Sequence, residues 1–375
     1  MLISINQYAK LHGKSGDTIR RFAEHGLLTT AHKIGRNWVV DSGEKYPVCK
    51  RTIGINKEQS ISVVSLFAGC GGMDLGFIGG FDFLGKHYEK TGFKIIWANE
   101  INPAACKTYR RNFGNYIVED DINNVFDELP TSADVIIGGF PCQDISINGK
   151  MLGIKGKRSS LYTAIVEAVR RIRPKAFVAE NVGALLMKKH EESLNKILED
   201  FRGLGYNVTY HLYQAEEYGV PQTRNRVFFV GTRDDIADFT PPIPTQKTPI
   251  PVKKAINDLA DKEWDPASSH IWSKAKATKE QGNRKLVATR PGYTIRSECH
   301  GNIQFHYSKP RRISMREAAR IQSFPDTFIF PCGLRETERQ IGNAVPPVLA
   351  WTIAKKLKEV LFNATNAKTK IRKDA

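Results

Sequence analysis

The stretch Ile61-Ser62-Val63-Val64-Ser65-Leu66-Phe67-Ala68-Gly69-Cys70-Gly71-Gly72-Met73-Asp74 decides the fold. Its apolar, β-branched run is a buried strand, and the glycines that end it turn the chain straight into a helix. A glycine-rich turn in this place lets a ligand approach the backbone, with the N–H groups of the following helix aimed at it. An ordinary tight turn has the same outline. The dinucleotide fingerprint is not met. With Gly69 and Gly71 as its first two glycines, the third position is Asp74, which counts against a nicotinamide or flavin enzyme.

Working outward, strands are predicted at residues 62–67, 94–98, 134–138, 176–179, 208–214 and 226–231, with helices between most of them, such as 161–171 and 194–204. That alternation implies a doubly wound α/β domain with a largely parallel sheet covered on both faces. The second strand closes on Glu100, placed to hold a ribose hydroxyl pair, and residues 79–91 read as an insertion before it. Asp120-Asp121-Ile122 offers a carboxylate where a third strand should end, suited to an adenine amino group. Carboxylates suit a cationic sulfonium ligand better than an anionic pyrophosphate.

The 56 basic residues against 39 acidic ones give a net charge of +17, which attracts polyanions, nucleic acid first among them. A hydrophobic content of 41% is that of a protein with a real core. No apolar run reaches membrane-spanning length, and the opening residues lack the layout of a secretory signal, so a cytoplasmic location without membrane contact is expected. Cys49, Cys70, Cys106, Cys142, Cys299 and Cys332 stand singly with no CxxC pair, which argues against a zinc site or a disulfide framework. No metal is expected.

Residues 1–50 have a different character. Two short helical stretches, 5–11 and 17–23, are broken at Ser15-Gly16 and followed by a basic hairpin arm at 33–40. This resembles the winged helix-turn-helix modules of the excisionase and MerR type, a resemblance that would bring Arg20 and Arg21 to DNA. A module that only packs against the rest of the chain, or against a partner, has the same pattern. Residues 51–60 read as a linker. From about Phe239 to Lys285 prolines break the α/β rhythm, as a small inserted domain would. Residues 348–362 are an amphipathic helix, and 366–375 a disordered tail.

The segment Val135-Ile136-Ile137-Gly138-Gly139-Phe140-Pro141-Cys142-Gln143 ends a buried strand in two glycines and a proline beside a lone cysteine. A thiolate on a loop leaving a strand is a candidate nucleophile. Cys70, Cys106 and Cys332 are assigned to the usual fate of cysteine, structural burial.

Taken in order, the FAGCGG and GGFPCQ loops, Glu180-Asn181-Val182, Gln222-Thr223-Arg224-Asn225-Arg226, residues 311–326 and Gly342-Asn343-Ala344-Val345-Pro346-Pro347 resemble the motifs of the DNA (cytosine-5) methyltransferases. The resemblance spans about 61–361. It implies a Rossmann-like domain that uses S-adenosyl-L-methionine, held by Phe67, Ala68, Gly69, Gly71, Gly72, Glu100, Ile101, Asp121, Ile122, Pro141, Asn343 and Val345. Catalytic roles fall on Cys142 as nucleophile at C6, Glu180 as acid at N3, and Arg224 with Arg226, expected to share one strand face beside O2 and the thiolate. C6 is inaccessible in a stacked duplex, so base flipping is implied.

The catalytic domain would run over 61–238 and resume within 293–365, with target recognition at 239–292 and into the following residues. Gln143, Ser146, Arg158, Arg290 and Arg296 are expected at DNA. Double-stranded DNA is the partner, a cognate restriction endonuclease would act on the same site, and one chain carries a complete site, so a monomer is expected. An RNA methyltransferase of the same fold and a DNA-binding regulator with a degenerate catalytic domain are the alternatives. Arg158-Ser159-Ser160-Leu161 departs from the family's commoner Arg-Gly before the leucine.

Overall fold

The computed structural model describes residues 1–14, 16–24, 28–44, 60–140, 161–274, 284–297 and 304–371, without the side chains of 17, 18, 21 and 363–371. The chain divides into two compact units, Met1–Gln59 with Asp120–Leu129, and Ser60–Glu119 with Pro130–Ala375.

The first unit opens with β1 (Leu2–Ser4), α1 (Ile5–Leu11), α2 (Gly16–Glu24), β2 (His32–Ile34) and β3 (Asn37–Asp41). A capping box starts α1: Ser4 accepts from the Gln7 N–H while the Gln7 side chain accepts from the Ser4 N–H. The helices and the hairpin lie where the sequence puts them. Strand β1 was not foreseen; it pairs antiparallel with β3, giving the order β1-β3-β2. Ile5, Tyr8, Ile19, Ala23, Leu28 and Val40 form a small core of their own.

The second unit runs β4 (Ile61–Leu66), α3 (Gly72–Ile78), β5 (Phe81–Phe83), β6 (Lys86–Tyr88), β7 (Phe93–Glu100), α4 (Pro103–Phe113) and β8 (Ile117–Glu119). After the short helix α5 (Ile122–Val125), which groups with the first unit, come β9 (Val135–Gly139), α6 (Leu161–Ile172), β10 (Ala176–Val182), α7 (Glu191–Arg202), β11 (Tyr206–Gln214) and β12 (Asn225–Arg233). Helices α8 (Val252–Ile256), α9 (Met315–Ile321), α10 (Leu334–Asn343) and α11 (Pro347–Ile371) follow.

Among the described residues the main sheet has seven strands in the order β11-β12-β10-β9-β4-β7-β8. The expected parallel sheet is therefore mixed. Strands β10, β9, β4, β7 and β8 are parallel, whereas β12 runs against both β10 and β11. The connection from β11 to β12 has no helix long enough to carry the chain back along the sheet, so β12 returns in the opposite sense. The insertion at 79–91 is the β5–β6 hairpin, whose Phe81, Phe83 and Tyr88 join the main core with α3 and α11.

Among the described residues of 239–285, the apolar side chains do not form a core from that stretch alone. Val252, Ile256, Leu259 and Ile271 belong to the same compact unit as the sheet, and Val252, Ile256 and Ile271 share a second core with Met315, Phe324, Phe328 and Ile341. Prolines break regular structure locally without preventing burial of the apolar residues between them. Nor is the whole of 366–375 a disordered tail, since α11 continues to Ile371. No helix among the described residues is long and apolar enough to cross a membrane.

Asp74, in the first turn of α3, is wholly buried, with the Tyr109 hydroxyl donating to it at 2.8 Å. Burial pushes its carboxyl up from 3.8 to about 6. The folded-state value exceeds the unfolded one, so ionisation costs stability progressively as pH rises through that interval, and the cost is fully felt above it. Asp74→Asn, which keeps an acceptor for Tyr109, is expected to melt above the parent at pH 8 and to show no gain near pH 4. Thermal melting across that range checks it.

Candidate active site

Strands β4 and β9 lie side by side and parallel, and their helices leave in different directions, so a crevice opens at their carboxyl ends. On the β4 side Phe67 takes a left-handed conformation (φ 54°), uncommon for a bulky residue and typical of strained functional turns. Glu100, at the end of β7, fixes this turn. Its Oε2 accepts from Gly69 N at 2.9 Å, and its Oε1 from Ile101 N and Asn102 N at 3.0 and 2.9 Å. Burial raises the Glu100 pKa despite these three donors.

A carboxylate has about four lone-pair sites. Three are occupied by backbone here, which leaves capacity for one hydroxyl where the sequence anticipated a pair. Ile101 beside it is 62% exposed, and nothing lies within 4 Å of where a Gly69 side chain would start. An acceptor, an exposed apolar surface and open space above the turn together fit a nucleoside bearing a sulfonium.

Gly72 has no such space. A Cβ there would stand 2.5 Å from Val345 O and 3.0 Å from Ala344 Cβ. The end of α10 is thereby brought against the turn, with Asn343 exposed and Val345 buried. Asp121 and Ile122 belong to the first unit, where the Asp121 carboxylate caps α5 by accepting from Asn123 N at 2.9 Å.

On the other side of the crevice, β9 ends at Gly139 beside Glu180, which is 8% exposed and lies within β10 rather than in a loop after it. A Cβ on Gly139 would meet Glu180 Oε2 at 3.0 Å, so the second glycine leaves room for the carboxylate. Glu180 Oε1 pairs with Arg226 Nε at 2.7 Å. Burial raises the Glu180 pKa, while Arg226 and Arg224 pull it back. Asn181 donates from Nδ2 to Phe140 O at 2.9 Å, tying β10 to the residue two places before Cys142. Pro141, Cys142, Gln143, Ser146 and Arg158 lie outside the described residues.

The two arginines have different hydrogen-bond partners, although both act electrostatically on Glu180. Arg226 faces Glu180. Arg224 precedes β12, is 1% exposed, and donates to the carbonyls of Ile295 (2.9 Å), Gly342 (2.8 Å) and Ala344 (3.0 Å). Gln222 and Thr294 were quoted or passed over without a role. Yet Gln222 Oε1 accepts from Ile295 N at 3.0 Å, and Thr294 Oγ1 donates to Thr223 O at 2.5 Å. The alternation of Gln222, Arg224 and Arg226 was the signal available for Gln222. Beside Arg226 opens a cleft of about 650 Å³ lined by Val182, Gly183, Leu212, Thr223 and Thr294 among others.

Arg290 and Arg296 are exposed, as is Arg20 on α2; the Arg21 side chain is outside the described residues. Cys70 and Cys106 are buried, and burial pushes both thiols up, Cys106 to about 12. Cys332 is half-buried.

A parallel sheet with an antiparallel edge pair and a glycine turn at its switch point defines a Rossmann-like methyltransferase. The solved structure of a DNA modification methyltransferase encoded within an E. coli prophage aligns with 81% of this chain and 100% of its own, at 25% identity and a TM-score of 0.63. The S. pombe Dnmt2 methyltransferase, at 18% identity, covers 81% of this chain and 99% of its own with a TM-score of 0.58, a likeness of fold.

In sequence, the Type II methyltransferase M.NgoFVII of Neisseria gonorrhoeae is 35% identical over 331 residues, covering 79% of this chain and 86% of that protein. M.FnuDI of Fusobacterium nucleatum is 34% identical over 350 residues, covering 83% and 98%. The model of the C-5 cytosine-specific DNA methylases matches residues 61–293 and 272–359. The chain belongs to that family, and its activity is that of a DNA cytosine-5 methyltransferase.

Gly72→Ala is expected to cost about 1–3 kcal/mol, the usual penalty for overpacking, because the Val345 carbonyl it meets is backbone. A lower melting temperature and weaker S-adenosylmethionine binding by calorimetry would bear this out.

Proposed function

We propose that this protein is the modification methyltransferase of a Type II restriction system, methylating a flipped cytosine in one short duplex sequence. The observation that carries the reading is the buried Glu180–Arg226 pair next to the strand end that leads to Cys142. Cytosine C5 is too weak a nucleophile to take a methyl group unaided. Addition of the Cys142 thiolate at C6 makes C5 enamine-like, and negative charge builds toward N3 and O2. Glu180, its pKa raised by burial, holds a proton for N3.

Arg226 uses Nε on Glu180 and an Nη1 hydrogen on Asn225 O among the described residues. A guanidinium has five donors, so others remain for O2 and for favouring the thiolate. S-adenosylmethionine supplies, when bound, the electrophilic methyl that the activated C5 takes up. Phe67, Ala68, Gly69, Glu100, Ile101 and Val345 would line its pocket, with Gly71, Gly72 and Asn343 at its edges. Loss of the C5 proton and elimination of Cys142 complete the turnover.

Target recognition is assigned to 239–292 and the residues after it, with Arg290 and Arg296 exposed there, and a DNA contact also to Gln143, Ser146 and Arg158 in the sequence that follows the nucleophile. Residues 1–50, whose described part holds two helices and a three-stranded sheet, are assigned a second DNA contact through Arg20 and Arg21. A monomer in the cytoplasm, sharing its target with a cognate endonuclease, completes the reading.

Cytosine-conversion sequencing of a mixed plasmid library, treated with S-adenosylmethionine and either the parent or Cys142→Ala, tests it. Protection confined to one short motif and absent with the variant supports the reading; folded parent that protects no cytosine sinks it. Glu180→Gln should keep the same motif while kcat falls about 10²–10⁴-fold. Arg20→Ala with Arg21→Ala should lower the slope of log affinity against log salt by about 0.9 per arginine, leaving the motif unchanged. An unchanged slope would remove the first unit from the DNA contact.

A further inference from the structure

Arg224 is among the largest fully buried side chains of the protein. Among the described residues the hydrogen bonds of its guanidinium go to carbonyls alone, those of Ile295, Gly342 and Ala344, while its backbone N–H donates to Glu216 Oε2 at 3.3 Å. Burial and the neighbouring Arg226 pull its pKa down. A buried cation without a carboxylate in hydrogen-bond contact is costly, and a well-packed apolar residue would fill the space more cheaply. What a planar fork supplies and an apolar residue cannot is a fixed geometry between several acceptors.

Those acceptors come from two segments. Ile295 sits in the stretch 291–297, which is zipped to the residues before β12. Thr223 N donates to Gly292 O at 2.8 Å, Gly292 N to Pro221 O at 2.9 Å, and Ile295 N to Gln222 Oε1 at 3.0 Å. Two residues further on, Arg226 holds Glu180. Gly342 and Ala344 belong to the turn that presses on Gly72. The two segments also touch directly, since a Cβ on Gly342 would stand 2.4 Å from the carbonyl carbon of Arg296. One guanidinium thus clamps the wall of the donor pocket to the wall of the cytosine cleft.

We propose that Arg224 is a positioning residue that couples the two pockets, so that filling one strengthens binding at the other. A ligand that orders the 342–345 turn orders the fork, and the 291–297 segment then has less freedom to lose when DNA binds. Linkage makes the effect reciprocal. The inference rests on the assignment of the two pockets made above.

The test is calorimetry on the full chain with S-adenosylhomocysteine and a duplex carrying the methylated motif, each titrated alone and in the presence of the other. The parent should show reciprocal tightening of about 5-fold or more, the lower end of ordinary allosteric coupling. Arg224→Lys keeps the charge but cannot span three carbonyls. It should melt cooperatively and bind each ligand alone, with the coupling reduced to about 2-fold or less. A folded Arg224→Lys that retains the parent's coupling, or a parent that shows none, overturns the proposal.

If Arg224→Lys does not fold, hydrogen exchange on the parent decides. S-adenosylhomocysteine alone should slow exchange in 291–297 as well as in 342–345, and protection confined to 342–345 overturns the inference. A parent that binds neither ligand and methylates nothing refutes the assignment of the pockets instead.

Discussion

The order β10-β9-β4-β7 sends the chain to opposite sides of the sheet after β4 and β9, and this switch point is the constraint on which the rest of the site depends. Parallel strands end together, so the residues that follow them converge on one edge of the sheet whatever their distance in sequence. The donor turn after β4, Glu100 after β7, Phe140 after β9 and Glu180 in β10 all meet there for that reason alone. The edge pair β11–β12 is antiparallel, and this lets the start of β12 reach the same edge from the other direction, bringing Arg226 to Glu180.

The charges at this edge are divided by function. Glu180 and Arg226 form a largely buried pair in which burial raises the carboxyl's pKa against the pull of the neighbouring arginines. The guanidinium of Arg224, two residues earlier, hydrogen-bonds three carbonyls instead of a carboxylate. A pair of arginines identical in the motif thus serves two purposes, and the difference arises from which groups surround each one. Gln222 extends the same division: it and Arg224 take the N–H and the carbonyl of one residue, Ile295, and pin its backbone from both sides.

Much of this was legible before any coordinates. Short β-branched runs located six strands of the main sheet, most plainly β4, β9 and β10, where burial on both faces leaves an unbroken apolar signature. Strand β8, three residues long, is legible only as the strand that should end before Asp120-Asp121, and β1, equally short, left no signature. The proline-rich stretch after Phe239 was taken for a separate body because irregular backbone was equated with a separate core. The shared burial of Val252, Ile256 and Ile271 with α9 and α10 shows that the two are independent.

The sequence by itself determined the chemistry. Single cysteine, acid, arginines and glycine turn stand in a fixed order, and residue identity sets what each can donate, accept or attack. Only the tertiary structure decided which of those groups meet. The partner of a side chain is set by the register and direction of strands far apart in the chain, and by which backbone carbonyls remain unpaired nearby. Arg226 found a carboxylate and Arg224 found carbonyls, a distinction that no spacing in the motif encodes.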